Sequence, residues 1–154
     1  MLRETTETHL RKLPPLIESP VIHTFGQPGA CDDHCMAPTV LLVDDEPSAL
    51  ALATRVLQGI GAEVVATASD ARTAIEAANK TRPDAALVDI GLPDRDGIDL
   101  AYDLAALPWR PRVVLMSTDR DAINAIDARP GRDAVPFLPK EELASGRLGA
   151  LLTP

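Results

Sequence analysis

The chain has 154 residues, about one domain's worth by the usual size range, and 45% of them are hydrophobic, which excludes wholesale disorder. Aromatic residues are only 3%, so the expected core is aliphatic. A formal charge of −8 provides no basic surface for nucleic acid or anionic lipid; no apolar run approaches the ~20 residues of a membrane span, and Cys31 and Cys35 are too few for a disulfide scaffold.

Residues 1–38 carry Pro14, Pro15, Pro20, Pro28 and Pro38 without a sustained helical or strand period, and are expected to form a disordered extension. Pro14, Pro15, Glu18 and Pro20 also interrupt the stretch Leu13–Phe25, so no signal peptide is expected and the expected location is cytoplasmic. Cys31, His34 and Cys35, with His23 upstream, lack the paired second half of a structural zinc site. Met36 stands just before the first strand, as a natural start would, so residues 1–35 read as a dispensable extension or a misassigned start.

The expected domain spans residues 39–154. Val40–Val43 is a continuous apolar run, as in a strand buried on both faces, and it stops at Asp44-Asp45. Pro47 suits a first helical turn, and Leu50, Leu52, Ala53, Val56, Leu57 and Ile60 follow at helical spacing. Ala62–Ala68 is a second strand. Ser69 or Asp70 caps a second helix that buries Ala71, Ala74, Ile75 and Ala78. Ala85–Val88 is a third strand ending at Asp89, followed by a turn-rich loop Pro93–Gly97 and a helix Ile98–Leu107. Val113–Met116, Asp119–Ala128, Ala134–Leu138 and Glu141–Leu152 complete a strand, helix, strand, helix series, the last helix weakened by Gly146 and Gly149.

Five strands alternating with five helices give an α/β domain with a doubly wound parallel sheet, whose ligands bind beyond the carboxyl ends of the strands. There the sequence places Asp44-Asp45-Glu46, Asp89, Ser117-Thr118 and Lys140. Several carboxylates in one pocket repel each other unless a hard cation such as Mg2+ joins them. A lysine and a hydroxyl beside them suit a carboxylate nucleophile that takes a phosphoryl group.

These residues carry a family resemblance. Val40-Leu41-Leu42-Val43-Asp44-Asp45-Glu46 resembles the opening of a bacterial two-component response-regulator receiver domain, and Leu87–Gly97 resembles its phosphoacceptor strand and loop. Val114-Leu115-Met116-Ser117 and Phe137-Leu138-Pro139-Lys140 resemble its two remaining signature segments, in order and over about residues 39–152. The resemblance implies a flavodoxin-like five-stranded sheet of order 2-1-3-4-5. It implies Asp89 as phosphoacceptor, and Asp44, Asp45, Asp89 and the Gly91 carbonyl as ligands of Mg2+. Ser117, rather than Thr118, and Lys140 would contact the phosphoryl group, and Ser117 and Phe137 would form the switch. Thr118 stands where the family usually has a smaller residue, and Glu141 follows Lys140 where the family has proline, so no cis-prolyl bond is expected there.

The expected function is a phosphorylation-controlled signalling switch that receives its phosphoryl group from a sensor histidine kinase. It is not expected to be an enzyme beyond its own phosphorylation and dephosphorylation. With Pro154 as the end, a single-domain regulator is expected, without direct contact to nucleic acid or membrane. Output would pass through a downstream protein, onward phosphotransfer, or a homodimer formed by the fourth helix, fifth strand and fifth helix. The alternative is a receiver-like binding module that works without phosphorylation. A phosphohydrolase of the haloacid-dehalogenase type needs a second Asp two positions after the nucleophile; Glu46 and Gly91 occupy those positions.

Overall fold

The structure is a computed structural model that describes residues 37–127 and 135–152. Residues 1–36 of the expected N-terminal extension, with the Cys31–Cys35 cluster, lie outside the described residues, which all fall in the unit Cys35–Pro154; Pro38, expected in the extension, accepts from Glu63 N at 2.9 Å. In chain order the elements are β1 (Thr39–Val43), α1 (Pro47–Gly59), β2 (Glu63–Ala68), α2 (Ala71–Thr81), β3 (Ala85–Asp89), α3 (Gly97–Ala105), β4 (Arg112–Ser117), α4 (Ala122–Asp127), β5 (Phe137–Pro139), a 3-10 turn at Lys140–Glu142, and α5 (Arg147–Leu152). The strands form one parallel sheet of order β2-β1-β3-β4-β5. No described helix is long and apolar enough to cross a membrane.

The central strands are buried on both faces, so their sequences run apolar without alternation. Alternate residues nevertheless serve different helices. Val40, Leu42, Ala85, Leu87, Val114, Met116 and Leu138 pack with Ala53 and Leu57 of α1 and Leu148 and Leu152 of α5. Leu41, Val43, Ala86, Val88, Val113 and Leu115 pack with the alanines of α2, with Ile98, Leu100 and Leu104 of α3, and with Ile126. Each fully buried leucine contributes about 1.5–3 kcal/mol relative to an exposed one, so the aliphatic core replaces the missing aromatic mass.

Local chemistry sets the helix ends. Pro47 opens α1, where a missing backbone N–H costs nothing. Asp70, not Ser69, caps α2 by accepting from Thr73 N at 2.8 Å. Helix α3 stops at Ala105 rather than Leu107, because Pro108 disfavours helical backbone at the residue before it.

Helix α4 begins at Ala122 rather than Asp119, since Ser117 Oγ accepts from Asp119 N and Asp119 Oδ1 accepts from Asp121 N, which turns the chain before the helix starts. Strand β5 is Phe137–Pro139 rather than Ala134–Leu138; residue 134 lies outside the described residues. The single last helix expected at Glu141–Leu152 is divided into the 3-10 turn and α5, with Gly146 at φ 79° between them. That left-handed backbone is open to glycine and breaks a helix. Leu52 on α1 and Ile60, which caps its C-terminal end, are 51% and 43% exposed and take no part in the core.

Candidate functional site

Strand register gathers the site. Val43 lies beside Val88, Asp89 beside Met116, and Ser117 beside Pro139. Asp44, Asp89 and Lys140 each follow by two residues a side chain that packs on the α1–α5 side of the sheet: Leu42, Leu87 and Leu138. Strand alternation therefore aims all three at one place. The Lys140 ammonium lies 2.6 Å from Asp44 Oδ2 and 3.3 Å from Asp89 Oδ1. Asp45, one residue on and exposed, still brings a carboxylate oxygen into a cluster in which those of Asp44, Asp45 and Asp89 lie within 4.8 Å of one another.

The electrostatics follow from burial and crowding. Asp44 is 2% exposed and Asp89 7%. Burial pushes the Asp89 carboxyl above its ordinary range; the Lys140 charge opposes this and the Asp44 charge adds to it. For Lys140 burial alone lowers the pKa, but its close contact with the Asp44 carboxylate and the charge of Asp89 outweigh it, and the net direction is upward. The Lys140 contact with Asp44 Oδ2 is short but poorly directed, so that buried oxygen has no well-formed hydrogen bond. A buried carboxylate oxygen in that condition, beside two further carboxylates, fits a hard divalent cation bound by oxygen.

The β3–α3 loop wraps this corner. A Cβ on Gly91 would stand 3.5 Å from Asp89 Oδ2, so the Gly91 backbone runs beside the carboxylate. Gly97 N donates to Ile90 O at 3.0 Å, and a Cβ on Gly97 would fall 2.0 Å from the Asp89 carbonyl oxygen. Only glycine admits that approach. Asp96 caps α3 through Ile98 N, Arg95 pairs with Asp103, and Asp94 accepts from Ala71 N and Arg72 N of α2.

Ser117 is buried and Thr118 exposed. Ser117 Oγ accepts from Asp119 N at 3.0 Å, and its own proton remains for another acceptor; it makes no hydrogen bond to Asp89 or Lys140. Phe137 is half-buried, pairs with Leu115, and packs on the α2–α3 side, where the alternation of Val113 and Leu115 also aims Ser117. The loop after Ser117 is joined to the turn after Lys140 by Arg120, which reaches Glu141 at 2.6 Å and lowers its pKa.

The Asp94 cap and the Arg120–Glu141 pair have no place in the sequence reading. Both depend on loops meeting in space, and their residues, an acid in a turn and an exposed Arg–Glu pair, look ordinary in the chain. Gly97, expected as the last residue of the turn-rich loop, instead opens α3 at the tight corner.

A parallel sheet of this order, with acids at the tips of β1 and β3 and a lysine after β5, defines a receiver domain. The chain belongs to the response regulator receiver domain family, whose family model matches residues 40–150. It is 34% identical over 116 residues to the DNA-binding response regulator MtrA of Mycolicibacterium smegmatis, covering 73% of this chain and 50% of MtrA. It is 40% identical over 91 residues to the transcriptional regulatory protein KdpE of Mycobacterium tuberculosis, covering 58% of this chain and 40% of KdpE. The chain thus spans half or less of the length of these relatives. The signal receiver domain of NarL from Mycobacterium tuberculosis superposes with a TM-score of 0.61 at 29% identity, covering 75% of this chain and 96% of that one. The chemotaxis response regulator CheY4 of Vibrio cholerae shares the fold at a TM-score of 0.60 and 23% identity, over 75% of this chain and 99% of that one.

Proposed function

We infer that this receiver domain is a phosphorylation-controlled switch in a two-component phosphorelay, with Asp89 as phosphoacceptor and a sensor histidine kinase as donor. The observation that carries the reading is the Lys140 ammonium set between Asp44 and Asp89 at the sheet edge. Asp44, Asp45, Asp89 and the Gly91 carbonyl would hold Mg2+, which when bound supplies charge neutralisation around a transferring phosphoryl group.

An Asp89 carboxylate oxygen attacks phosphorus in line; the P–N bond of the donor phosphohistidine breaks as the P–O bond to Asp89 forms. The imidazole leaves with the bonding electron pair. Lys140 pairs with the phosphoryl oxygens, and the Ser117 hydroxyl donates its free proton to one of them. The new group carries about −1.5 to −2 charge. It draws Ser117 inward and lets Phe137 repack on the same side of the sheet, which changes the surface of α4, β5 and α5 that a downstream protein reads. Its only chemistry is its own phosphorylation and dephosphorylation.

The test is transfer from purified sensor kinases carrying labelled phosphohistidine. Label is expected to pass from one of them to the wild type and not to Asp89→Asn; equal labelling of the variant contradicts the assignment.

A further inference from the structure

We propose that Asp94 is a positioning residue: by capping α2 from outside, it fixes the loop that carries the Gly91 carbonyl. The inference rests on the phosphoacceptor reading above.

A helix begins with backbone N–H groups that have no partner within it. In α2, Asp70 serves Thr73 N at 2.8 Å and leaves the first two residues unserved. Asp94 serves those. Its carboxylate accepts from Ala71 N at 2.9 Å through Oδ1 and 3.1 Å through Oδ2, and from Arg72 N at 3.3 Å. A local cap already being present, the second one does something other than start the helix.

What it joins is the rim of the acidic pocket. On one side, Asp44 N donates to Ala68 O at 3.0 Å, which ties the end of β1 to the end of β2, just before α2. On the other, Asp94 follows Gly91 by three residues and Asp89 by five. Two hydrogen-bonded links, Asp44 N to Ala68 O and the start of α2 to Asp94, are joined by the short stretch of chain from Ala68 to Ala71, and the backbone returns from Asp94 to Asp89. The far end of the loop is held separately, by Gly97 N on Ile90 O and by the Arg95–Asp103 pair. Between these anchors, Gly91 and Pro93 are exposed and Leu92 is half-buried against the core. Removing the Asp94 cap leaves the Gly91 carbonyl placed from its near side, by the hydrogen bonds of Ile90 and of Gly91 N, and by Leu92, with no hydrogen bond among the described residues holding the loop between Leu92 and Asp94.

The test compares Asp94→Ala with Asp94→Asn in the full chain. Both remove one negative charge, but Asn keeps an acceptor oxygen for Ala71 N. Thermal melts establish that both fold, as Asp70 still caps α2 in each. Amide hydrogen exchange without metal is expected to accelerate at Ala71, Gly91 and Leu92 in Asp94→Ala and to stay near wild type in Asp94→Asn. Calorimetric titration with Mg2+ is expected to show about tenfold weaker binding in Asp94→Ala, the lower end for losing an outer hydrogen-bond partner, with Asp94→Asn close to wild type. Unchanged exchange in Asp94→Ala, or equal loss of Mg2+ affinity in the two variants, overturns the proposal, the latter by assigning the effect to charge. Wild-type indifference to Mg2+ contradicts the metal-holding reading instead, and the exchange comparison still decides whether Asp94 pins the loop.

Discussion

The Lys140 ammonium stands 2.6 Å from Asp44 Oδ2, an oxygen with no well-formed hydrogen bond, on a residue only 2% exposed. The two residues lie at opposite ends of the described domain in sequence and meet because β1 and β5 are both fed into one parallel sheet. Lys140 is the one cation in contact with the buried acids among the described residues, so it holds the pocket together.

Lys140→Met is expected to leave Asp44 buried without its counter-charge. Breaking a buried pair by removing one partner costs about 3 kcal/mol. Urea denaturation without divalent cations checks this; an unchanged midpoint would mean that Asp44 is solvated and that the pair is incidental.

The pH dependence has a definite sign. Burial holds the Asp89 carboxyl above its ordinary 3.8, so the native protein keeps this proton more readily than the unfolded chain. Stability from this group is full below 3.8 and is lost as pH rises through the folded value. Lys140 acts the same way at the other end: its contribution is full below 10.5 and is lost as pH rises through its higher folded value. Asp89→Asn is therefore expected to be more stable than wild type at neutral pH without metal, by a margin that shrinks toward acid pH. Denaturation midpoints across this range check it, and a variant less stable at neutral pH contradicts it.

Mg2+ is expected to raise the melting temperature by binding the native carboxylate cluster. At about ten times the dissociation constant, linkage gives about 1.4 kcal/mol, or roughly 5 °C for a domain of this size. Asp45→Ala is expected to remove most of that rise while leaving the metal-free melting temperature nearly unchanged, since Asp45 is exposed. Scanning calorimetry with and without Mg2+ separates the two effects.

Ser117 and Thr118 are adjacent hydroxyls, and burial assigns the role to the first. Ser117→Ala is expected to slow phosphorylation about tenfold or more, as loss of a donor to a developing oxyanion does. Thr118→Ala is expected to leave the rate within about twofold of wild type. The reverse ranking would transfer the assignment to Thr118.

Much of this was legible in the chain. The runs Val40–Val43 and Ala85–Val88 end abruptly at acids, and that alone marks strand tips in a parallel sheet. The order of strands and the family followed from four segments in sequence. Less legible were the irregular ends. Asp119 stands in the chain as the start of a helix, but its side chain accepts from Asp121 N in a turn that precedes α4, which begins only at Ala122. Leu52 and Ile60 fit the helical period of α1 yet remain exposed, because a period names a face without saying how wide its cover is. The Asp94 bonds to α2 span more than twenty residues, beyond the reach of any local pattern.

The tips of β1, β3 and β5 form one pocket, in which Asp89 is expected to take a phosphoryl group. The most direct measurement is the intact mass of the protein after incubation with acetyl phosphate, with and without Mg2+. A gain of one phosphoryl group is expected that requires Mg2+, maps to the peptide containing Asp89, and is absent from Asp89→Asn. A gain of the same size in Asp89→Asn, or a phosphoryl group mapped to another residue, would contradict it.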